Sequence, residues 1–374
     1  MPPLTFRNPQ NRFDIPGDKR MFDRIVEDML ARGGALAPSE HWNWNLGEQE
    51  TTAPGYSDEL YEKNYSHLER MLDPWVGVTG MKSVEKSAVD RYDGFLRAID
   101  HLGLLPADGF AHTQSNRWRE TDLGSVLDAN LISIFAALRT SEAFAVCEVG
   151  GGYGRLAEVF LQLCPRIHYV LIDAVPGSLM YAYLYLKAQF PELAIGSYYA
   201  GEAYDRKYNC YIMPAWHADA LPDQSFEVCV NIESMQEMAQ NHVDHYLRMF
   251  DRLTVARGWI YLSNARNYVF KGSWNIPPHW ETHYLNNTPR SWSPDHPTHI
   301  LRKGEGDHSL ARIAHEGALS QQAEAWRIAQ LFNEELHPGG PPAATERVAG
   351  LAGRLQRMKR KVRRNLLRIA DRLQ

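Results

Sequence analysis

The run Glu148-Val149-Gly150-Gly151-Gly152-Tyr153-Gly154 constrains this chain more than any other feature. Before it stands Phe144-Ala145-Val146-Cys147, which with Glu148-Val149 makes a short apolar run suited to a parallel strand buried on both faces. After it, Leu156 to Leu163 has helical spacing. A glycine turn between strand and helix lies beyond the carboxyl end of the strand, which is where an open α/β sheet holds a cofactor. Glycine lets the backbone turn tightly there and approach a ligand that a Cβ would block.

The chain around the turn repeats the alternation. Strand-like runs recur at Tyr169–Asp173, Asn209–Met213, Phe226–Asn231 and Trp259–Ser263, with helical segments at Ser178–Phe190 and Val243–Leu253. This predicts a doubly wound, Rossmann-like α/β sheet over residues 116–310. Residues 1–115 read instead as helices joined by polar turns, with apolar pairs at Met21-Phe22, Ile25-Val26 and Met29-Leu30 ending at Gly33-Gly34. Ser57 and Ser83 are candidate caps of two further helices, and His41 to Asn45 forms an aromatic and amide cluster between the first two.

A nicotinamide fingerprint, G-x-G-x-x-G, counted from Gly150 needs glycine where Arg155 stands. Counted from Gly152 it ends on Ala157, a smaller departure. The spacing of Glu148, Gly150, Gly152 and Gly154 instead resembles the first motif of class I S-adenosylmethionine-dependent methyltransferases. The resemblance extends through Asp173, through Ala218-Asp219-Ala220-Leu221-Pro222 and through the strand ending at Asn231. It implies S-adenosylmethionine as cofactor. Asp173 would hold the ribose hydroxyls, Asp219 the adenine amine and the Ala220 backbone the ring. Glu148, Gly150, Gly152, Tyr153 and Asn231 would complete the cofactor contacts. Read without the resemblance, the same residues are turn glycines and capping acids of some other α/β protein.

Glu148–Gly154 together with Asn231-Ile232-Glu233-Ser234-Met235-Gln236-Glu237-Met238 is similar to a bacterial family of sugar O-methyltransferases that often serve surface-polysaccharide pathways. That likeness covers about residues 115–300 and implies a sugar or glycan hydroxyl as acceptor. A hydroxyl is a poor nucleophile at neutral pH, so a general base or a metal should assist it. Candidate bases are Glu237, His242 and Glu233, with Gln236 as a substrate contact. The alternative is that the carboxylates cap the following helix and the histidines face solvent. His242 and His245 are three apart but lack a third ligand, so no metal is expected.

Residues 265–300 read as a long aromatic lid carrying Trp274, His279 and Trp280 among other Trp, His and Pro residues. Flat rings suit the C–H face of a pyranose, so these three are substrate-binding candidates; equally, the rings could pack the lid onto the body.

Charge separates the last part of the chain from the rest. Overall there are 40 Lys+Arg and 45 Asp+Glu, a net −5. Residues 346–374 hold ten basic and two acidic side chains, +8, which leaves −13 on the other 345 residues. Within residues 311–374 a Pro-Gly-Gly-Pro-Pro linker at 338–342 precedes an apolar stripe from Val348 to Leu373 flanked by Lys and Arg. A basic amphipathic helix of this kind predicts binding to an anionic membrane surface, or self-association through the same stripe. Nucleic acid is not expected as a partner. No leader-like or bilayer-length apolar run is visible. With four cysteines out of CxxC spacing, a cytoplasmic enzyme is expected, peripheral to the inner membrane face if the tail docks there. A non-sugar metabolite methylated on N or O, and a non-catalytic scaffold with a vestigial cofactor fold, are the competing readings.

Overall fold

A computed structural model describes residues 17–37, 61, 86–100, 102–105, 120–138, 141–264, 274–288 and 296–304. All belong to a compact unit spanning Met1–Gln330; a second unit, Leu331–Gln374, lies outside the described residues. The expected linker, the basic helix 346–374, the helix after Ser57 and the His41–Asn45 cluster lie outside them as well.

Eight strands form one sheet: β1 (Ala145–Val149), β2 (His168–Asp173), β3 (Ile195–Ser197), β4 (Cys210–Pro214), β5 (Phe226–Ile232), β6 (Thr254–Ser263), β7 (Trp280–Thr288) and β8 (His296–Lys303). Their order is β3-β4-β2-β1-β5-β6-β8-β7. The first six are parallel, and β8 runs antiparallel to both β6 and β7. Strand order reverses between β1 and β5, so the crevice of the sheet opens beside the glycine turn that follows β1.

The helices are α1 (Lys19–Asp28), α2 (Lys86–Ile99), α3 (Glu120–Ala136), α4 (Arg155–Leu163), α5 (Pro176–Gln189) and α6 (Gln240–Leu253). Side chains alternate across the strands, and both faces are covered. Cys147, Val170, Tyr211, Cys229, Ile260 and Leu301 stand in one apolar layer with Val243, Leu247 and Phe250 of α6. The other face carries Glu148 and Tyr169 and meets Phe160 of α4. Burial on both faces explains why the parallel strands read as continuous apolar runs. All four cysteines are buried free thiols.

Helix α3 has almost no solvent face: residues 122–133 are buried, five of them polar. Such a helix is stable only if its polar groups find partners. Tyr261 on β6 donates to Asp128 at 2.6 Å, and Asn130 donates to the Val126 carbonyl at 3.1 Å while accepting from Leu102 N.

The amino-terminal helices pack directly on this sheet domain. Asp18 caps α1 by accepting from Met21 N at 3.0 Å, and Met21, Phe22, Ile25 and Val26 form its buried face. At its end Asp28 Oδ2 accepts from Tyr199 Oη, Trp216 Nε1 and His217 Nε2, each at 2.8 Å. Arg32 Nη1 lies 3.3 Å from Asp28 Oδ1, and Tyr198 stacks on His217. Helix α1 is thereby bolted to the segments that follow β3 and β4.

Of the region expected to be a lid, residues 265–273 and 289–295 lie outside the described residues, and most of the described ones are strand. Residues 280–288 and 296–303 are β7 and β8, with β8 paired to β6 and β7 paired to β8 at the edge of the sheet. Trp280 pairs with Lys303, whose ammonium donates to the carbonyls of Asp251 and Thr254, and Trp280 Nε1 donates to Asp251 at 2.9 Å. This clasp sits where α6 ends and β6 begins, at the end of the sheet away from the glycine turn.

Candidate cofactor and acceptor site

Three glycines of the turn, Gly150, Gly152 and Gly154, have positive φ. Gly150 has φ +74, and a Cβ there would lie 2.0 Å from Ser234 Oγ in the segment after β5. Gly152 has φ +56, and a Cβ there would meet nothing within 4 Å, so this part of the turn faces open space. The turn therefore forms a cradle whose floor is the backbone itself, which fits a ligand laid closely across it.

Asp173 ends β2 beside the turn. Its Oδ2 accepts from Gly152 N at 3.0 Å and its Oδ1 from Val175 N at 2.8 Å. Burial pushes its pKa up to about 6, against the opposing pull of the Val175, Gly152 and Ala174 N–H groups. A carboxylate has about four lone-pair positions, so the backbone N–H groups leave capacity for a ligand hydroxyl. Glu148 lies beneath the turn, 3% exposed, and accepts from Tyr169 Oη at 2.7 Å. Burial raises it to about 7, although Tyr169 and Arg155 act in the other direction. Its reach is upward through Gly151, whose Cβ would come within 2.8 Å of Glu148 Oε2. Asp219 and Ala220 are exposed at the end of a 3-10 segment, Ala215–Ala220, after β4.

Two residues expected to contact the cofactor have buried side chains. Tyr153 is 2% exposed and sets its ring edge-on against Tyr185 of α5, so its side chain is core and only its backbone borders the cleft. Asn231 is fully buried and its amide is already bonded. Its Nδ2 donates to the Val149 carbonyl at 2.9 Å and to Ser234 Oγ, and its Oδ1 accepts from Met235 N at 3.2 Å and Asn264 Nδ2 at 3.1 Å. Asn231 holds the floor of the site.

The acceptor-side candidates divide by position. Glu233, Gln236, Glu237 and His242 all lie between the end of β5 and the first turn of α6, at the cleft. Glu233 has φ +54, a strained conformation for a residue with a Cβ, and its N–H donates to Ser263 O at 2.8 Å. Gln236 N donates to Asn264 Oδ1 at 3.3 Å, and Glu237 closes a short 3-10 turn by donating its N–H to Ser234 O. His242 is half-buried at the start of α6.

The remaining substrate-binding candidates are corrected. His279 Nε2 lies 2.6 Å from Asp251 Oδ1, so His279 and Trp280 both belong to the clasp at the far end of the sheet. Trp274 is buried in the apolar layer with α6. These rings fasten the edge strands to the body, which is where their apolar area is removed from water.

Three residues that complete the site were not among the candidates: Ser234, Asn264 and Arg155. Asn264 is fully buried and ties the ends of β5, β6 and β8 together, its N–H donating to Pro297 O at 3.2 Å. Its only trace in the sequence is an amide directly after an apolar strand.

No family model and no curated protein matches the chain. Solved structures match over part of it. TrmN from Thermus thermophilus is 16% identical over 48% of this chain and 48% of its own, with a TM-score of 0.36. A Haemonchus contortus phosphoethanolamine N-methyltransferase, solved with phosphoethanolamine and S-adenosylhomocysteine, is 11% identical over 62% of this chain and 54% of its own, TM-score 0.34. A predicted O-methyltransferase from Agrobacterium tumefaciens is 12% identical over 46% and 81%, TM-score 0.31. The chain thus spans about half the length of the first two. At these TM-scores the fold assignment rests on the strand order, with its reversal between β1 and β5.

Proposed function

We propose that this chain is an S-adenosylmethionine-dependent methyltransferase acting on a hydroxyl of a sugar or glycan. The observation that carries the cofactor is the bond from Gly152 N to Asp173 Oδ2, which sets a diol-binding carboxylate against an open, side-chain-free turn at the switch point of the sheet. The acceptor class is supported by the sequence resemblance of residues 148–154 and 231–238.

When bound, the cofactor would supply an electrophilic methyl carbon on a sulfonium, so that an O–C bond to the acceptor would form as the C–S bond breaks and the neutral thioether leaves. Asp173 accepts from the ribose hydroxyls, and Asp219 with the Ala220 backbone addresses the base. Glu237 or His242 takes the acceptor's proton, at a carboxylate oxygen or a ring nitrogen. Asn231 and Asn264 fix the 233–237 turn, since orientation supplies much of the rate.

Incubation with labelled methyl donor and candidate glycans and metabolites, read by intact mass, tests the reading. Label on a glycan hydroxyl is expected; label only on a nitrogen or on a non-sugar metabolite replaces the acceptor class. Titration with S-adenosylmethionine and with NAD(P) tests the cofactor, and dinucleotide binding alone ends the proposal. Glu237→Gln or His242→Gln, whichever removes the base, should lower turnover roughly 10²–10⁴-fold. The basic tail supports a further part of the proposal, docking at an anionic membrane. Liposome flotation should be lost on deleting residues 346–374; self-association of the intact chain without flotation excludes docking.

A further inference from the structure

The segment that follows β4, Ala215–Ala220, is gripped on both flanks. On its leading flank Trp216 Nε1 and His217 Nε2 each reach Asp28 Oδ2 at 2.8 Å, and the His217 ring stacks on Tyr198 with centroids 4.1 Å apart. On its trailing flank Arg252 of α6 donates to the carbonyls of Ala218 and Leu221. Ala218 and Leu221 are buried, whereas the two residues between them, Asp219 and Ala220, are exposed. A short segment fastened on either side of its tip presents the tip in one orientation, which is what a binding group needs from its supports.

The two grips differ in origin. Arg252 belongs to the sheet domain, at the end of α6, and also lies 2.8 Å from Asp223. Asp28 belongs to α1, 188 and 189 positions before the residues it holds. Its side chain is 14% exposed, so water competes little for the bonds it accepts. Apolar contacts alone would let the segment slide along the helix. A carboxylate accepting directional bonds fixes orientation as well as position. The turn that continues α1, Met29–Gly33, stays beside the segment: a Cβ on Gly33 would stand 3.7 Å from Trp216 Cε3. Beyond it, Leu36 packs on the apolar layer that holds Ala215 and Ala218.

We infer that helix α1 is part of the base-recognition site, with Asp28 acting through Trp216 and His217 to aim Asp219 at the exocyclic amine of the cofactor's base. Asp28 touches no ligand in this arrangement; it is a positioning residue. A shift of the tip by about 1 Å would take a hydrogen bond of about 2.9 Å out of range, so the bond to the base depends on the grip. The inference rests on the reading of Asp219 given above, and adds that the amino-terminal helix governs how well the base is read.

Two ligands test it: S-adenosylhomocysteine and S-inosylhomocysteine, in which a carbonyl replaces the base amine. By calorimetry, wild type should prefer the amine about tenfold or more, since a carboxylate accepts from an amine and repels a carbonyl oxygen. Asp219→Ala should erase that preference. Asp28→Asn should lower it about fivefold or more, by weakening S-adenosylhomocysteine while leaving S-inosylhomocysteine within about twofold. Trp216→Phe, which removes one donor and keeps a ring in place, should do the same more mildly. Thermal melts report on folding, and Trp216→Phe carries the test if Asp28→Asn does not fold. A merely structural Asp28 would lower the melting temperature or weaken both ligands alike. An intact preference in the folded variants, with Asp219→Ala still erasing it, overturns the inference and leaves the reading of Asp219 standing. No preference in wild type, or a preference that survives Asp219→Ala, overturns both.

Discussion

His217 Nε2 lies 2.8 Å from Asp28 Oδ2, joining residues 189 positions apart, and it shares that oxygen with Tyr199 and Trp216. One carboxylate thus holds the amino-terminal helix to the segment that two residues later presents Asp219. Asp28→Ala would strand three donors, and unfolding in urea should show a loss of about 1–3 kcal/mol. Burial pushes the Asp28 carboxyl up, but hydrogen bonds from Trp216, Tyr199 and His217 outweigh it and hold the group below its ordinary 3.8. The stability Asp28 contributes is therefore present above pH 3.8 and is lost as pH falls through its lower folded value. Wild type and the alanine variant should converge in stability at strongly acid pH, and a constant difference would contradict this role.

Glu148 and Asp173 behave in the opposite sense. Burial lifts Glu148 from 4.5 to about 7 and Asp173 from 3.8 to about 6. Each favours the folded state below its unfolded value, and that contribution is lost as pH rises through the folded one. A ligand whose hydroxyls need ionised Asp173 must therefore bind with proton release below pH 6. Its affinity should fall about tenfold per pH unit there. Calorimetry of S-adenosylmethionine between pH 5 and pH 8 measures this; a flat profile refutes it.

Gly150 and Gly152 should fail differently. Gly150→Ala drives a methyl into Ser234 Oγ, 2.0 Å away, and should lower the melting temperature. Gly152→Ala meets no atom of the described residues within 4 Å, so it should cost only the backbone strain of about 1–2 kcal/mol, yet place a methyl where the proposed cofactor would lie. A Gly152→Ala protein that melts near wild type and has lost S-adenosylmethionine binding is the expected outcome.

At the other end of the sheet, Trp280→Ala should destabilise by about 3–5 kcal/mol, because it empties a buried ring site and removes one of the two partners of Asp251 Oδ1. His279→Ala should cost little more than its contact with Asp251. Neither should change cofactor affinity in protein that remains folded; a loss of affinity without a loss of stability would return these residues to the cleft.

The sheet and the turn were legible because a parallel strand buried on both faces leaves a continuous apolar run, and glycine at positive φ leaves few alternatives. The edge strands were not. In β7 a bulge between Thr282 and Tyr284 swaps the face that successive side chains present, so Trp280 points toward α6 and Tyr284 toward Phe135 of α3. Its rings and histidines resemble a binding surface for the same reason that they pack well. Strand β3 has three residues, too few for a period. Asn231 was visible as part of a motif, but its full set of bonds depends on Asn264, 33 residues away, which no local pattern announces.

The Asp28 junction also sets a timetable for synthesis. Tyr199, Trp216 and His217, which receive helix α1, are made 171 to 189 residues after Asp28. At translation rates of about 5–20 residues per second, that interval is roughly ten to forty seconds. Through it, Asp28 waits without the three donors that fasten α1 to the sheet domain, although Phe22 can already meet the Tyr61 ring.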